Sequence, residues 1–258
     1  MRLQSVIAAA YVEVQSRFGF KPDVKRRVNA LLRRPVEDDF RALAHFHLTP
    51  GHVIVDAGAN RGETIAATRL FQPTAPIGAF EPNPLLAESQ RARCASDGHV
   101  TIENSGLGRA AGQFDLFVPY YKGVPFDGLA SFREEEAANW LNADRLAGFD
   151  SVHQTIRRFH CRVGTLDTFA LRPGLIKIDV QGLEPDVIAG GLATIEADKP
   201  AVLMENNTPQ TDAIDLFRLG YEAYAFEGGR LRRGKIGSLN TFYIHPDRRD
   251  AFDPSIYA

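Results

Sequence analysis

Val53-Ile54-Val55-Asp56-Ala57-Gly58-Ala59-Asn60-Arg61-Gly62-Glu63 is the stretch on which the fold turns. Three β-branched residues make a short apolar strand, a carboxylate closes it, and two glycines fold a loop. Residues 63–71 then read as a helix. Thr49-Pro50-Gly51 supplies the turn before the strand. The same unit recurs downstream. Residues 77–80 form a second strand ending at Glu81, and Asn83-Pro84 gives a helix N-cap followed by proline at the first helical position. A third strand is expected at 100–102, a fourth at 175–180 after the turn Arg172-Pro173-Gly174, and a fifth at 201–204. Helices are expected near 185–197 and 212–219, and strands 221–226 and 241–244 should lie as antiparallel neighbours. Strands alternating with helices imply an α/β fold, a Rossmann-like sheet that is mostly parallel, with an antiparallel edge and helices on both faces. In such sheets ligands bind beyond the carboxyl ends of the strands, so the residues that end each strand are the ones to examine.

With 258 residues, 44% of them apolar, the chain can bury one substantial core. No repeat or low-complexity linker divides it, and the organisation read from the pattern is a helical extension over 1–48 followed by a main domain over 49–258. A formal charge of −2 gives no net attraction to nucleic acid or anionic lipid. Cys94 and Cys161 are too few for a disulfide framework and lack zinc-site spacing, which fits a reducing cytoplasm. No stretch reaches the roughly 20 apolar residues of a membrane-spanning helix, and no export signal is read. Leu3, Val6, Ile7, Ala10, Val14 and Phe18 recur at helical spacing, an amphipathic segment that covers a core edge or, less readily, docks on a membrane or partner. An oligomer is compatible with all of this.

A glycine loop at a helix N-terminus favours anions, but the spacing Gly58-Ala59-Asn60-Arg61-Gly62 is not the G-x-G-x-x-G of a dinucleotide pyrophosphate site, and Asp56 would repel phosphate. That carboxylate suits the amino group or sulfonium of S-adenosyl-L-methionine, with loop N–H groups receiving its carboxylate. The plain alternative is a tight βα turn that needs glycine whatever is bound. Glu81, 23 positions after Gly58, stands where ribose hydroxyls are gripped, or else where a carboxylate stabilises the next helix. Asn104 and Ser105 follow the third strand, either as adenine ligands or as turn formers.

Four islands carry a family resemblance: Val55-Asp56-Ala57-Gly58-Ala59-Asn60-Arg61-Gly62-Glu63-Thr64, then Phe80-Glu81-Pro82-Asn83-Pro84, then Thr165-Leu166-Asp167, and Ile176-Lys177-Ile178-Asp179-Val180-Gln181-Gly182-Leu183-Glu184. In this order, over residues 50–206, they resemble the FkbM-type S-adenosylmethionine-dependent methyltransferases. Gln181 departs from a glutamate frequent there. The resemblance implies a class I methyltransferase-like fold, O-methylation of a hydroxyl on a sugar, glycolipid or polyketide-type natural product, and a cofactor site lined by Asp56, Gly58, Asn60, Gly62, Glu81 and the stretch around Ser105. Asp179 and Lys177 would face the methyl group.

Lys177 and Asp179 share one side of their strand and interrupt an apolar run, so the pair is either functional, with Asp179 as proton acceptor, or an ion-pair network with Glu184. Glu205 and Asn206 end the fifth strand and should overhang the same cleft, Glu205 being the second catalytic candidate. A metal-free arrangement is favoured over one in which Asp179, Glu205 and Asn206 hold magnesium. His153 and His160 are weaker candidate bases. Residues 119–160 are too long for an ordinary connection and are read as an acceptor-binding insertion, in which Phe126, Phe132, Trp140 and Phe149 wall the acceptor; residues 133–147 contain a helical stretch whose Trp140 and Leu141 otherwise simply pack it onto the sheet. The rivals to methyl transfer to a small-molecule or glycan acceptor are a nicotinamide-dependent oxidoreductase and a non-catalytic module on a nucleotide fold.

Overall fold

A computed structural model describes residues 35, 37–146 and 148–258. The amphipathic segment expected at the N-terminus lies outside them. Among the described residues the chain divides into two compact units, one of residues 37–112 with 162–258, the other of residues 113–161.

The larger unit is built on an eight-stranded sheet. Its strands are β1 (Val53–Ala57), β2 (Ile77–Phe80), β3 (Val100–Glu103), β8 (Pro173–Ile178), β9 (Ala201–Glu205), β10 (Glu222–Glu227), β11 (Arg230–Arg233) and β12 (Asn240–Ile244). They lie in the order β11-β10-β12-β9-β8-β1-β2-β3. From β3 to β9 all pairs are parallel, while β12, β10 and β11 each run antiparallel to the strand before them in that order. This is the mostly parallel class I methyltransferase-like sheet anticipated, and β10 and β12 are the antiparallel neighbours. The segment between them contains a further strand, β11, whose charged Arg230, Arg232 and Arg233 hid its one buried residue, Leu231.

Alternation along each strand makes two apolar layers. Ile54, Ile77, Leu175, Leu203 and Phe242 share one with α1 (Glu63–Phe71) and the 3-10 helical segment Asp38–His45. Val55, Phe80, Ile176, Val202 and Tyr243 share the other with α4 (Glu184–Ala189), α5 (Leu192–Asp198) and α7 (Ile214–Arg218). Period-two burial on both faces is what a sheet covered on both sides requires. α2 (Pro84–Cys94) starts as expected, with Asn83 as N-cap accepting from the backbone N–H of Leu85 and proline in the first turn. The segment Asp38–His45 is tied to α1, since Gln72 Nε2 donates to the carbonyls of Leu43 and Phe46 at 2.8 Å each.

Three expected elements differ. The fourth strand starts at Pro173 and stops at Ile178, so Asp179 and Val180 belong to the loop beyond it. The helix expected over 185–197 is broken at Gly190-Gly191: a Cβ on Gly190 would sit 1.9 Å from the carbonyl oxygen of Gly108, and one on Gly191 2.9 Å from Leu166. The close approach requires glycine, and two glycines end a helix. The helix expected over 212–219 is divided into α6 (Pro209–Asp212) and α7 at Ala213.

β4 (Gly106–Leu107) pairs in parallel with the last residues of β7 (Gln154–Gly164). The unit of residues 113–161 holds most of β5 (Gly112–Tyr121) and β7, with β6 (Val124–Pro125) and α3 (Glu134–Trp140). The helical stretch expected within 133–147 is α3. This unit has apolar clusters of its own, one around Tyr121, Leu141 and Leu146, the other around Leu116, Val118, Tyr120 and Cys161. Phe126 and Phe149 pack on the first and Phe132 on the second.

Candidate active site

The carboxyl ends of β1, β2, β8 and β9 carry the polar residues singled out in the sequence. The loop after β1 is wound tightly. Gly58 has φ +84°, and a Cβ there would lie 1.8 Å from the backbone oxygen of Asp179, so this glycine is demanded by the approach of the loop beyond β8. Asn60 is also left-handed at φ +44°, a conformation Asn tolerates better than most residues. Gly62, at φ +82°, forms the N-cap of α1. The loop's own donors are largely spent: the N–H groups of Gly58 and Ala59 both go to the carbonyl of Phe80 and that of Gly62 to Ala59. The N–H groups of these three residues are thus not open to the anion that the sequence pattern led us to expect there.

Glu81 ties the loop to the second strand. Its Oε2 accepts from the backbone N–H of Asn60 at 2.7 Å and its Oε1 from that of Asn83 at 2.8 Å, and the residue is buried. Of the two readings of Glu81, these bonds show the structural one, a carboxylate bracing the loop and the residue that caps the next helix. From α2, Gln90 Nε2 donates to the carbonyl of Asn60 at 2.5 Å and Arg93 to that of Arg61 at 2.8 Å. The sequence reading missed Gln90; its signal is a polar residue on the core side of an otherwise solvated helix, one of two buried residues there. Asn104 donates to the carbonyls of Glu81 and Pro82, and the Ser105 hydroxyl to those of Gly106 and Arg162. Both brace the turns around the second and third strands.

Asp56 is fully enclosed and neither of its oxygens completes a hydrogen bond. Burial raises its pKa to about 7, against the pull of Lys177 and of the nearby Thr64 hydroxyl, which stops short of a full hydrogen bond. Asn60 Oδ1 is likewise enclosed and unpartnered. These oxygens, together with the Glu81 carboxylate, suit a ligand that brings N–H donors or positive charge and hydroxyls, which is the chemistry of S-adenosyl-L-methionine.

Next to Asp56 in register lies Lys177, itself buried. Its ammonium is 3.4 Å from Asp179 Oδ2 and 3.4 Å from the carbonyl of Ile178. Gln181, left-handed at φ +56°, donates through Nε2 to Asp179 Oδ1 at 2.9 Å and to Glu205 Oε2 at 3.2 Å. The structure thus brings Lys177, Asp179 and Glu205 together through a residue that the sequence reading noted only as a departure. Burial and the adjacent Asp179 carboxylate push Glu205 up to about 8, whereas Asp179, with Lys177 and Gln181 opposing its burial, is held below the ordinary range. Two carboxyl groups so placed oppose each other's ionisation, so the pair titrates in two separated steps.

Two expected partners are absent from this group. Asn206 donates to the carbonyl of Gly237 at 2.7 Å and accepts from the Thr241 hydroxyl at 2.7 Å, so its amide is committed to the 237–241 loop and is not a third ligand beside Asp179 and Glu205. Glu184 accepts at Oε1 from the N–H groups of Val180 and Gly182, shaping the loop instead of pairing with Lys177. Asp167, of the third sequence island, accepts from Ala193 and Thr194 at the start of α5, a structural cap. His160 pairs with Asp115 and His153 packs on Tyr121, all within residues 113–161.

Residues 56–227 match the family described as the methyltransferase FkbM domain. The chain belongs to the FkbM methyltransferase family. No curated protein sequence matches it well enough to count as a relative. Among solved structures, this FkbM family member is similar to the methyltransferase FkbM from Methylobacillus flagellatus KT, at 15% identity and a TM-score of 0.47, over 86% of this chain and 60% of that one. It therefore spans about three fifths of that protein's length. It is also similar to a precorrin-6y C5,15-methyltransferase from Geobacter metallireducens GS-15, at 14% identity and a TM-score of 0.39 over 81% and 87% of the two chains. A third is an S-adenosylmethionine-dependent O-methyltransferase from Thermotoga maritima, at 14% identity and a TM-score of 0.39 over 82% and 65%. No described helix of the FkbM family chain is long and apolar enough to cross a membrane.

Proposed function

We propose that this chain is an S-adenosyl-L-methionine-dependent O-methyltransferase, acting on a hydroxyl of a small-molecule or glycan acceptor such as a sugar, glycolipid or polyketide-type product. Family membership supports methyl transfer, and one observation supports oxygen as the acceptor: Asp179 and Glu205, beyond and at the carboxyl ends of adjacent parallel strands, share one amide donor, Gln181. An aliphatic hydroxyl is a weak nucleophile unless its proton is taken as the new bond forms, and a nearby ionised carboxylate does this. Bound S-adenosyl-L-methionine would supply an electrophilic methyl group on a cationic sulfur. Glu81 would hold its ribose, with Asp56 and Asn60 offering acceptors to its polar groups and Asn104 and Ser105 bracing the adenine side. Asp179 would accept the hydroxyl proton, Lys177 would keep Asp179 ionised, and Glu205, carrying its proton, would donate a hydrogen bond.

The test is transfer of labelled methyl groups from the cofactor to fractionated cellular glycans, lipids and metabolites, with wild type beside Asp179→Asn. This variant preserves shape and removes charge, so transfer should fall at least about 100-fold, the lower range for loss of a general base. Cofactor affinity by calorimetry should stay within about threefold. A fully active Asp179→Asn would remove this residue from the reaction.

A further inference from the structure

Gln181 is absent from the reaction scheme above, yet its amide reaches both acids of the site. It occupies the left-handed region at φ +56° and is followed by Gly182 at φ +94°. Two successive residues in such conformations need outside support. That support is Glu184, fully buried, whose Oε1 gathers the N–H groups of Val180 and Gly182 on either side of Gln181. The loop is wrapped around a carboxylate, and Gln181 points out of it toward the acid pair. A primary amide has two N–H donors, and the Nε2 of Gln181 directs them at Asp179 Oδ1 and Glu205 Oε2.

We propose that Gln181 is the positioning residue of the acid pair: its amide, one N–H to each carboxyl group, holds the side chains of Asp179 and Glu205 beside each other. The proposal rests on the preceding reading for its catalytic meaning, though the arrangement itself is testable without acceptor or cofactor. The charged groups around the pair are Lys177 from β8, Glu184 from α4 and, beyond Lys177, Asp56 from β1. On the remaining side Asn240, the register partner of Glu205, is neutral and donates to Glu37 and Asp39. None of these groups bonds both members, so the amide is the clamp. A hydrocarbon side chain would leave the two carboxyl groups to separate into solvent. A glutamate would set a third negative charge against them.

The experiment uses the full chain labelled with carbon-13. The side-chain carboxyl of Glu205, assigned by its loss in Glu205→Gln, is followed by NMR from acid to alkaline pH. In the wild type it should titrate far above an ordinary glutamate. Gln181→Leu and Gln181→Gly should both lower that midpoint by about one pH unit or more, the signature of a pair uncoupled. The glycine variant relaxes the left-handed backbone, so a loss seen in both cannot come from strain. Gln181→Glu should raise the midpoint. An unchanged or higher midpoint in folded Gln181→Gly overturns the proposal, as does an ordinary midpoint in the wild type. Loss of methyl transfer in Asp179→Asn with Gln181 variants of unaltered titration would overturn it while leaving the proposed reaction standing; an active Asp179→Asn would do the reverse.

Discussion

Replacing Glu81 by glutamine separates the bracing role that the structure gives this residue from the ribose-binding role proposed for it. The carboxylate accepts one backbone N–H at each oxygen, from Asn60 at 2.7 Å and Asn83 at 2.8 Å, lengths typical of charge-assisted bonds. An amide keeps one acceptor and turns an NH2 group toward the other donor, so one such bond is lost in the cofactor-free protein. Bonds of this kind contribute about 1.5 to 3 kcal/mol. For a domain of this size each kcal/mol shifts the melting temperature by about 2 to 4 °C, giving a fall of about 3 to 12 °C. If the same carboxylate also grips the ribose hydroxyls, a second charged hydrogen bond goes, and affinity should drop about 10- to 150-fold. Thermal unfolding without ligand reads the first effect, and calorimetric titration with S-adenosylhomocysteine reads the second. Lower stability with unaltered affinity would refute the ribose assignment and leave Glu81 as a brace between loop and helix. An unaltered melting temperature would refute the structural reasoning itself.

Other outcomes follow from the same geometry. Gly58→Ala should destabilise the fold by at least about 2 to 3 kcal/mol in chemical denaturation, because its Cβ would meet the Asp179 backbone in a left-handed conformation; a variant as stable as wild type would contradict the close approach. Raising pH should weaken the fold through Glu205: its folded pKa, about 8, exceeds the ordinary 4.5, so its stabilisation is complete below about 4.5 and is lost as pH climbs through 8. Between pH 5 and 8 the melting temperature of the wild type should therefore decline more than that of Glu205→Gln, and parallel declines would discard the raised pKa.

The parallel core of this fold was legible because its elements obey local rules. Ile54, Val55 and their counterparts alternate between two buried layers, and Asn83-Pro84 announces its helix by cap chemistry alone. Boundaries failed where long-range contact overrode propensity. Nothing near Gly190 in sequence reports the carbonyl of Gly108 that breaks the helix, and Leu231 among arginines gives no strand alternation strong enough to read. In the site, Asp56, Lys177, Asp179 and Glu205 were visible as charges ending or interrupting apolar strands. The direction in which a side chain leaves the strand end was not, and so Asn206 turned out to serve a neighbouring loop while Gln181 serves the acid pair.

The pairing of Asp56 with Lys177 across the two central strands also bears on how those strands find each other. Val55 and Ala57 of β1 and Ile176 and Ile178 of β8 are interchangeable hydrocarbons, so apolar burial alone discriminates poorly among alignments. The carboxylate and the ammonium lie side by side in only one of them, on the layer that holds Ile54 and Leu175. A slip by one residue would set Asp56 against an isoleucine and send the two charges to opposite layers, leaving Asp56 enclosed without an ammonium beside it. These two side chains thus act as an alignment key, making misregistered sheets expensive before any ligand arrives.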